Sequence, residues 1–150
     1  SRGSGPARPQ ELVDRFPAAK SESMTAVGML ARIFMGDNPR KDPILKQGTD
    51  LTAGLVPTWN TNDGSIDMVY WYFATLALYQ VGGEHWNKWE KGMNDSVVAN
   101  QRLDGNYCGF KGSWDPVDPW GPDGGRVYST AMMALCCEVA QRYERVAGGR

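Results

Sequence analysis

Residues 68–83, MVYWYFATLALYQVGG, contain no charged side chain. The stretch that follows, 84–101, is densely charged yet keeps Trp86, Trp89, Met93 and Val97 at i, i+3, i+7 and i+11. A helix apolar all round is buried, whereas a helix with one apolar stripe lies on a surface. The same contrast recurs along the chain: three stretches apolar nearly all round alternate with two that are apolar on one side. This alternation predicts an all-α fold in two layers, inner and outer, built from helical hairpins.

The periodicity and its punctuation predict helices at 23–35, 43–56, 67–81, 84–101 and 127–145, with a short one near 10–16. The first places Met24, Val27, Leu30, Ala31 and Phe34 inward and stops at Gly36. Pro43 is suited to the opening position of the second, which turns Ile44, Leu51 and Leu55 inward with Lys46 and Asp50 outward. Residues 60–67, NTNDGSID, are turn chemistry, and Gly82-Gly83 ends the uncharged helix. The last helix carries Met132, Leu135, Cys136, Val139, Tyr143 and Val146 on one stripe. An Ala followed four residues later by Leu marks each inner helix (Ala26–Leu30, Ala74–Leu78, Ala131–Leu135), and Gly48 and Gly92 open matching polar runs on the outer ones. The spacings fall mostly in the forties, the period of helical solenoids and toroids.

At 150 residues the chain suits one domain, burying roughly 68–70% of the surface its unfolded form exposes. Residues 1–9 and 148–150 are expected to be linker or cloning remnant and tail around a helical domain at 10–147, itself a piece of a longer protein. The net charge of −1 gives no attraction to nucleic acid or anionic lipid, so no nucleic-acid partner is expected. The uncharged run is shorter than the ~20 residues of a membrane span, so no membrane insertion by this segment is expected. Cys108, Cys136 and Cys137 include no CxxC spacing, and they are read as small packing residues rather than a redox or metal pair. With His85 the single histidine, no zinc site and no cofactor are expected.

The segment 103–126, LDGNYCGFKGSWDPVDPWGPDGGR, is long for a connection in a compact domain, where such loops are often functional. Asn100-Gln101-Arg102-Leu103-Asp104-Gly105 followed by Gly112-Ser113-Trp114 resembles the Gln–Trp repeat of squalene and oxidosqualene cyclases. Gly124-Gly125-Arg126-Val127-Tyr128-Ser129-Thr130-Ala131 resembles the matching repeat of protein prenyltransferase β subunits. Both belong to the prenyltransferase/squalene-oxidase repeat superfamily, and the resemblance covers about 43–146. It implies an α/α-toroid, here an incomplete ring, in which Gln101 reaches loop backbone and Trp114 packs over it. The superfamily also includes thioester-containing domains of macroglobulins, so the scaffold serves roles other than prenyl chemistry. The cyclases' Asp-Xaa-Asp-Asp acid motif is missing, and Ser129 stands where the prenyltransferases place a zinc-binding His. No catalytic residue is assigned.

Candidate ligand- or partner-binding residues are Trp71, Trp114, Asp115, Asp118, Trp120, Arg126 and Tyr128. The aromatics of 70–73 can line a toroid cavity for an apolar ligand or pack as core. Trp114 and Trp120 with Asp115 can anchor a glycan or an extended peptide, or cap helix ends. Asp115, Asp118 and Asp123 can gather around Ca²⁺ or, as favoured here, accept backbone N–H bonds in turns. Arg126 is expected to pair with a loop Asp. The leading expectation is a non-catalytic interaction module using a concave face and the 103–126 loop, with a protein partner or self-association. The alternatives are a terpene cyclase or prenyltransferase-like fragment, and a carbohydrate-binding or -processing α/α-barrel domain.

Overall fold

The computed structural model describes residues 10–103 and 110–146. Among them are six α-helices and two short 3-10 turns, with no strand: α1 (Gln10–Arg15), α2 (Ser23–Phe34), α3 (Pro43–Gly54), α4 (Met68–Val81), α5 (Gly83–Ser96) and α6 (Gly121–Arg142), the turns lying at Ala18–Lys20 and Val98–Asn100. None of these helices is long and apolar enough to cross a membrane.

α4 is the centre. It packs between α2 and α6, while α3 lies against α2, α4 and α5, and α5 against α4. Its lack of charge fits that place, with Tyr70, Trp71, Ala74, Ala77 and Leu78 all buried. Its polar groups are satisfied from within: the Tyr70 hydroxyl donates to the Thr52 carbonyl at 2.7 Å, and Thr75 accepts from the Trp89 indole at 2.9 Å. Trp86, Trp89, Met93 and Val97 of the α5 stripe are buried as the spacing predicts. Tyr70–Trp89 and Tyr79–Trp86 meet edge to face. At the C-terminal end of α4, buried Gln80 clamps the tail, donating to the Glu144 carbonyl and accepting from the Val146 amide at 2.7 Å.

Two predicted stripes are rotated. In α2 the core side is Ala26, Met29, Leu30 and Ile33, while Met24 and Phe34 are exposed. The helix carries apolar residues on two faces, and the one with small Ala26 lies against the core. In α3, Ile44 and Leu51 are exposed, and Leu45, Gly48, Thr49, Thr52 and Ala53 are buried. Threonines enter this core because their hydroxyls find partners, as Thr49 does on the Leu45 carbonyl at 2.7 Å. In α6, Met133, Cys136 and Val139 are buried, Met132 and Leu135 only half so, and Tyr143 and Val146 exposed. Ala131 is exposed too, so the Ala–Leu pairing marks the core in α2 and α4 alone.

Boundaries follow local chemistry. Asp42 caps α3 through the Ile44 and Leu45 amides, with Pro43 in the first turn. α5 ends at Ser96 rather than running to 101. The Val97 carbonyl accepts the Trp114 indole at 2.6 Å, and the Gln101 amide bonds Val98 instead, tightening the chain into a 3-10 turn. α6 begins earlier than predicted, with one helical turn before a break at Gly125 (φ 60°, ψ −164°).

Gly48 and Gly92 mark close approaches of the outer helices. A Cβ on Gly48 would meet the flexible side chain of Met29, whereas one on Gly92 would overlap Val56 and touch Pro57. Gly92→Ala is therefore expected to cost about 1–3 kcal/mol by overpacking, and Gly48→Ala less, as read by urea denaturation. Equal costs at both positions would contradict the packing described.

Candidate functional site

The 110–121 segment is fastened on two sides. On one, the Arg102 amide donates to the Ser113 carbonyl and the Gly112 amide to the Arg102 carbonyl, while Gln101 Nε2 donates to the Gly112 carbonyl at 2.8 Å. On the other, the Trp114 carbonyl accepts the Ser129 hydroxyl at 2.7 Å, and the Trp114 amide donates to Thr130. Trp114 is buried, its indole spent on the end of α5.

Asp115 lies between two guanidinium groups. Arg102 reaches it through both Nε and Nη2, and Arg126 through Nη2 at 2.5 Å. Hydrogen bonds and charge from Arg102, then Arg126, hold its carboxyl below the usual carboxylate range. Arg126 also donates to Ser113 and lies over the Phe110 ring at 4.2 Å. The expected pairing of Arg126 with a loop Asp is thus made by Asp115. Arg102 is a member that the sequence reading left out.

Asp118 has the opposite environment. It is 1% exposed, accepts the Tyr128 hydroxyl at 2.7 Å and the Met68 amide at 3.3 Å, and leaves Oδ1 without a hydrogen-bond partner. Burial, with the negative charge of Asp67 nearby, pushes its carboxyl pKa up. Burial and the Asp118 contact push the Tyr128 hydroxyl far up, so it stays protonated and donates. Asp67 caps α4 through the Tyr70 amide and accepts the hydroxyls of Ser21 (2.8 Å) and Ser23 (3.3 Å). Two buried acids therefore sit at the N-terminal end of the central helix, where the helix dipole favours negative charge.

Above Asp67 opens a cavity of about 360 Å³, lined by Ser21, Glu22, Met24, Asp67, Val69 and Trp120 among others. Of the candidate residues, Trp114, Asp115, Asp118, Arg126 and Tyr128 form the fastening, and Trp120, 38% exposed, stands at the cavity. Trp71 stands apart, 1% exposed in the core with its ring against Trp59. The sequence reading missed Asp67, Glu22 and the two serines. Asp67 did carry a signal, an acid directly before an uncharged helix.

A larger opening of about 520 Å³ lies beside Arg40, Lys46, Asp50, Glu84 and His85, with His85 Nε2 3.2 Å from Asp50. Its charges are of both signs and face solvent. No group of three His, Cys, Asp or Glu side chains is placed to hold a metal among the described residues. Cys136 is buried, its thiol pKa raised by that burial, while Cys137 is exposed. Cys108 and Asp104 lie outside the described residues. Comparison of the chain with family models, with curated proteins and with solved structures finds no match.

Proposed function

We propose that this chain is a non-catalytic interaction module, an arc of helical hairpins of the α/α-toroid kind, that docks a second copy of itself through the apolar side of α2. The observation that carries this reading is the second stripe of α2. Met24, Val27, Ala31, Phe34 and Met35 recur at helical spacing opposite the core residues, and Met24, Phe34 and Met35 are 78%, 64% and 77% exposed. Met24 continues into the cavity shared with Val69 of α4 and Trp120. Contiguous exposed apolar surface marks association sites more often than isolated residues do.

Two further observations favour binding over acid–base chemistry. Asp115 is spent between two arginines, and Asp118 is sealed beneath Tyr128 and α4. The toroid reading is supported by the placement of α2, α4 and α6 in one row with α3 and α5 beside it. It is also supported by the bond from Gln101 to the Gly112 carbonyl.

The test is Phe34→Lys, alone and with Met24→Lys. Both sites are exposed, so stability should change by no more than about 0.5 kcal/mol. Sedimentation velocity from micromolar to millimolar concentration should show the wild type associating and the double variant remaining monomeric. Identical behaviour of the two proteins across that range sinks the reading.

A further inference from the structure

The outward side of α2 carries its bulk at the ends and a hollow between them. Met24 stands at one end, Phe34 and Met35 at the other, and the small residues Gly28 and Ala31 in the middle are exposed. A Cβ built on Gly28 would have no packing neighbour within 4 Å, so the hollow is open. No charged side chain interrupts the stripe, and Arg32 at its flank is spent on Asp37 and Asp42.

Charge is divided between the two ends of the helix. Glu22 precedes it, and the 37–42 turn that follows it carries Arg40 and Lys41, both exposed. Among the described residues Glu22, Arg40 and Lys41 make no ion pair.

A surface that docks on its own copy about a two-fold axis must offer knob and hole together, because residue i meets j and j meets i. Gly28 and Met35 are such a hole and knob, seven residues apart on one line of the helix, about 10 Å along its axis. Val27 and Phe34 repeat the spacing on the neighbouring line, and Ala31 lies midway. Antiparallel pairing also brings the acidic end of each helix to the basic turn of the other, and it opposes the two helix dipoles. The other exposed apolar margin of the molecule is on α6, where Val127 is 84% exposed beside exposed Ala131. Docking α2 on that margin would leave an uncovered face at each end of every assembly, whereas α2 on α2 closes at two.

We propose that the surface met by α2 is α2 of the second copy, antiparallel about a two-fold axis at Ala31, with Met35 of each chain over Gly28 of the other and Phe34 against Val27. The inference rests on the self-docking reading above and names the face of the second copy that is met.

The first test is Gly28→Leu, read by sedimentation velocity. The site is open and Leu is the better helix former, so the fold is kept. The variant exposes more apolar surface, yet filling the hollow should weaken association at least about tenfold. Non-specific apolar association would strengthen instead. The second test is oxidative cross-linking in a Cys137→Ser background, with the bond located by peptide mass spectrometry. Ala31→Cys should join to itself, and Met24→Cys should not, since the two copies of residue 24 stand about 20 Å apart. Val127→Lys should leave the dimer unchanged. Gly28→Leu associating as tightly as wild type overturns the proposal. So does equal cross-linking at 24 and 31, cross-linking at neither, dissociation by Val127→Lys, or growth beyond two copies. If any of these accompanies loss of association in Phe34→Lys, the antiparallel pairing falls and the docking reading stands. A wild type that stays monomeric to millimolar concentration sinks both.

Discussion

Trp114→Ala is expected to lower the unfolding free energy by about 3–5 kcal/mol, the range for removing a buried aromatic. The indole is 5% exposed, and its nitrogen holds the Val97 carbonyl at 2.6 Å. Truncation opens a void beside a fully buried valine and deprives that carbonyl of its indole donor, at the point where α5 gives way to the 3-10 turn. Trp114→Phe keeps most of the apolar volume and loses only the hydrogen bond, so about 1–3 kcal/mol is expected. Trp120→Ala, at a residue 38% exposed, should cost less than half as much as Trp114→Ala. Guanidinium denaturation of the three variants checks the order. A loss below about 1 kcal/mol for Trp114→Ala would mean that the 110–121 segment is held by something other than this indole.

The second large effect concerns Asp118 and pH. Its carboxyl is raised by burial, so the native state binds its proton more tightly than the unfolded chain does. The stabilisation from that proton is complete below the unfolded value, near pH 4, and is lost as pH rises through the native value. Above that native value the protein holds a buried charge, and Oδ1 has no hydrogen-bond partner. Asp118→Asn removes the charge and keeps an oxygen for Tyr128 and Met68. Its NH2 replaces Oδ1 without an acceptor, so the sharp expectation is the trend: stability relative to wild type should rise from about pH 4 to pH 7, by about 1–3 kcal/mol. Asp115, held low by Arg102 and Arg126, works in the opposite sense. Its contribution is present above the unfolded value and lost as pH falls through the native one. The total pH profile therefore mixes both signs, and the informative quantity is the difference between wild type and Asp118→Asn across pH 4–7. A difference that is flat, or that grows toward acid, contradicts the environment described for Asp118.

Helix existence, and the limits of α3 and α4, were legible in this sequence because they are local. Pro43 after Asp42, the Gly82-Gly83 pair and the uncharged 68–83 run each act within a few residues. The all-round apolarity of α4 correctly places it between neighbours. Facing was less legible where a helix offers two choices. α2 has competing apolar stripes, and α3 buries Gly48, Thr49 and Thr52 while exposing Ile44 and Leu51. Side-chain hydrophobicity alone favours the wrong face there, because the choice turns on a glycine contact and on hydroxyls satisfied inside the helix. The site was legible in fragments. Asp118 and Tyr128 stood out, as did Arg126, but the junction depends on Met68 meeting Asp118 across fifty residues and on Ser21 meeting Asp67 across forty-six. No local pattern encodes either meeting, and Asp67 reads on its own as an ordinary cap.

The Gln80 clamp has a consequence for how the molecule comes apart. α4 is bonded at its C-terminal end to residues 144–146, and at its N-terminal end to Ser21, Ser23 and Asp118. Three segments distant in sequence are thus moored to one buried helix, and none can detach without exposing a polar group that α4 keeps satisfied. Amides near Ser23 and those near Val146 would then exchange with solvent through the same rare opening rather than by separate fraying. The Ser21–Ser23 segment and the chain at 144–146 thereby share the stability of the centre.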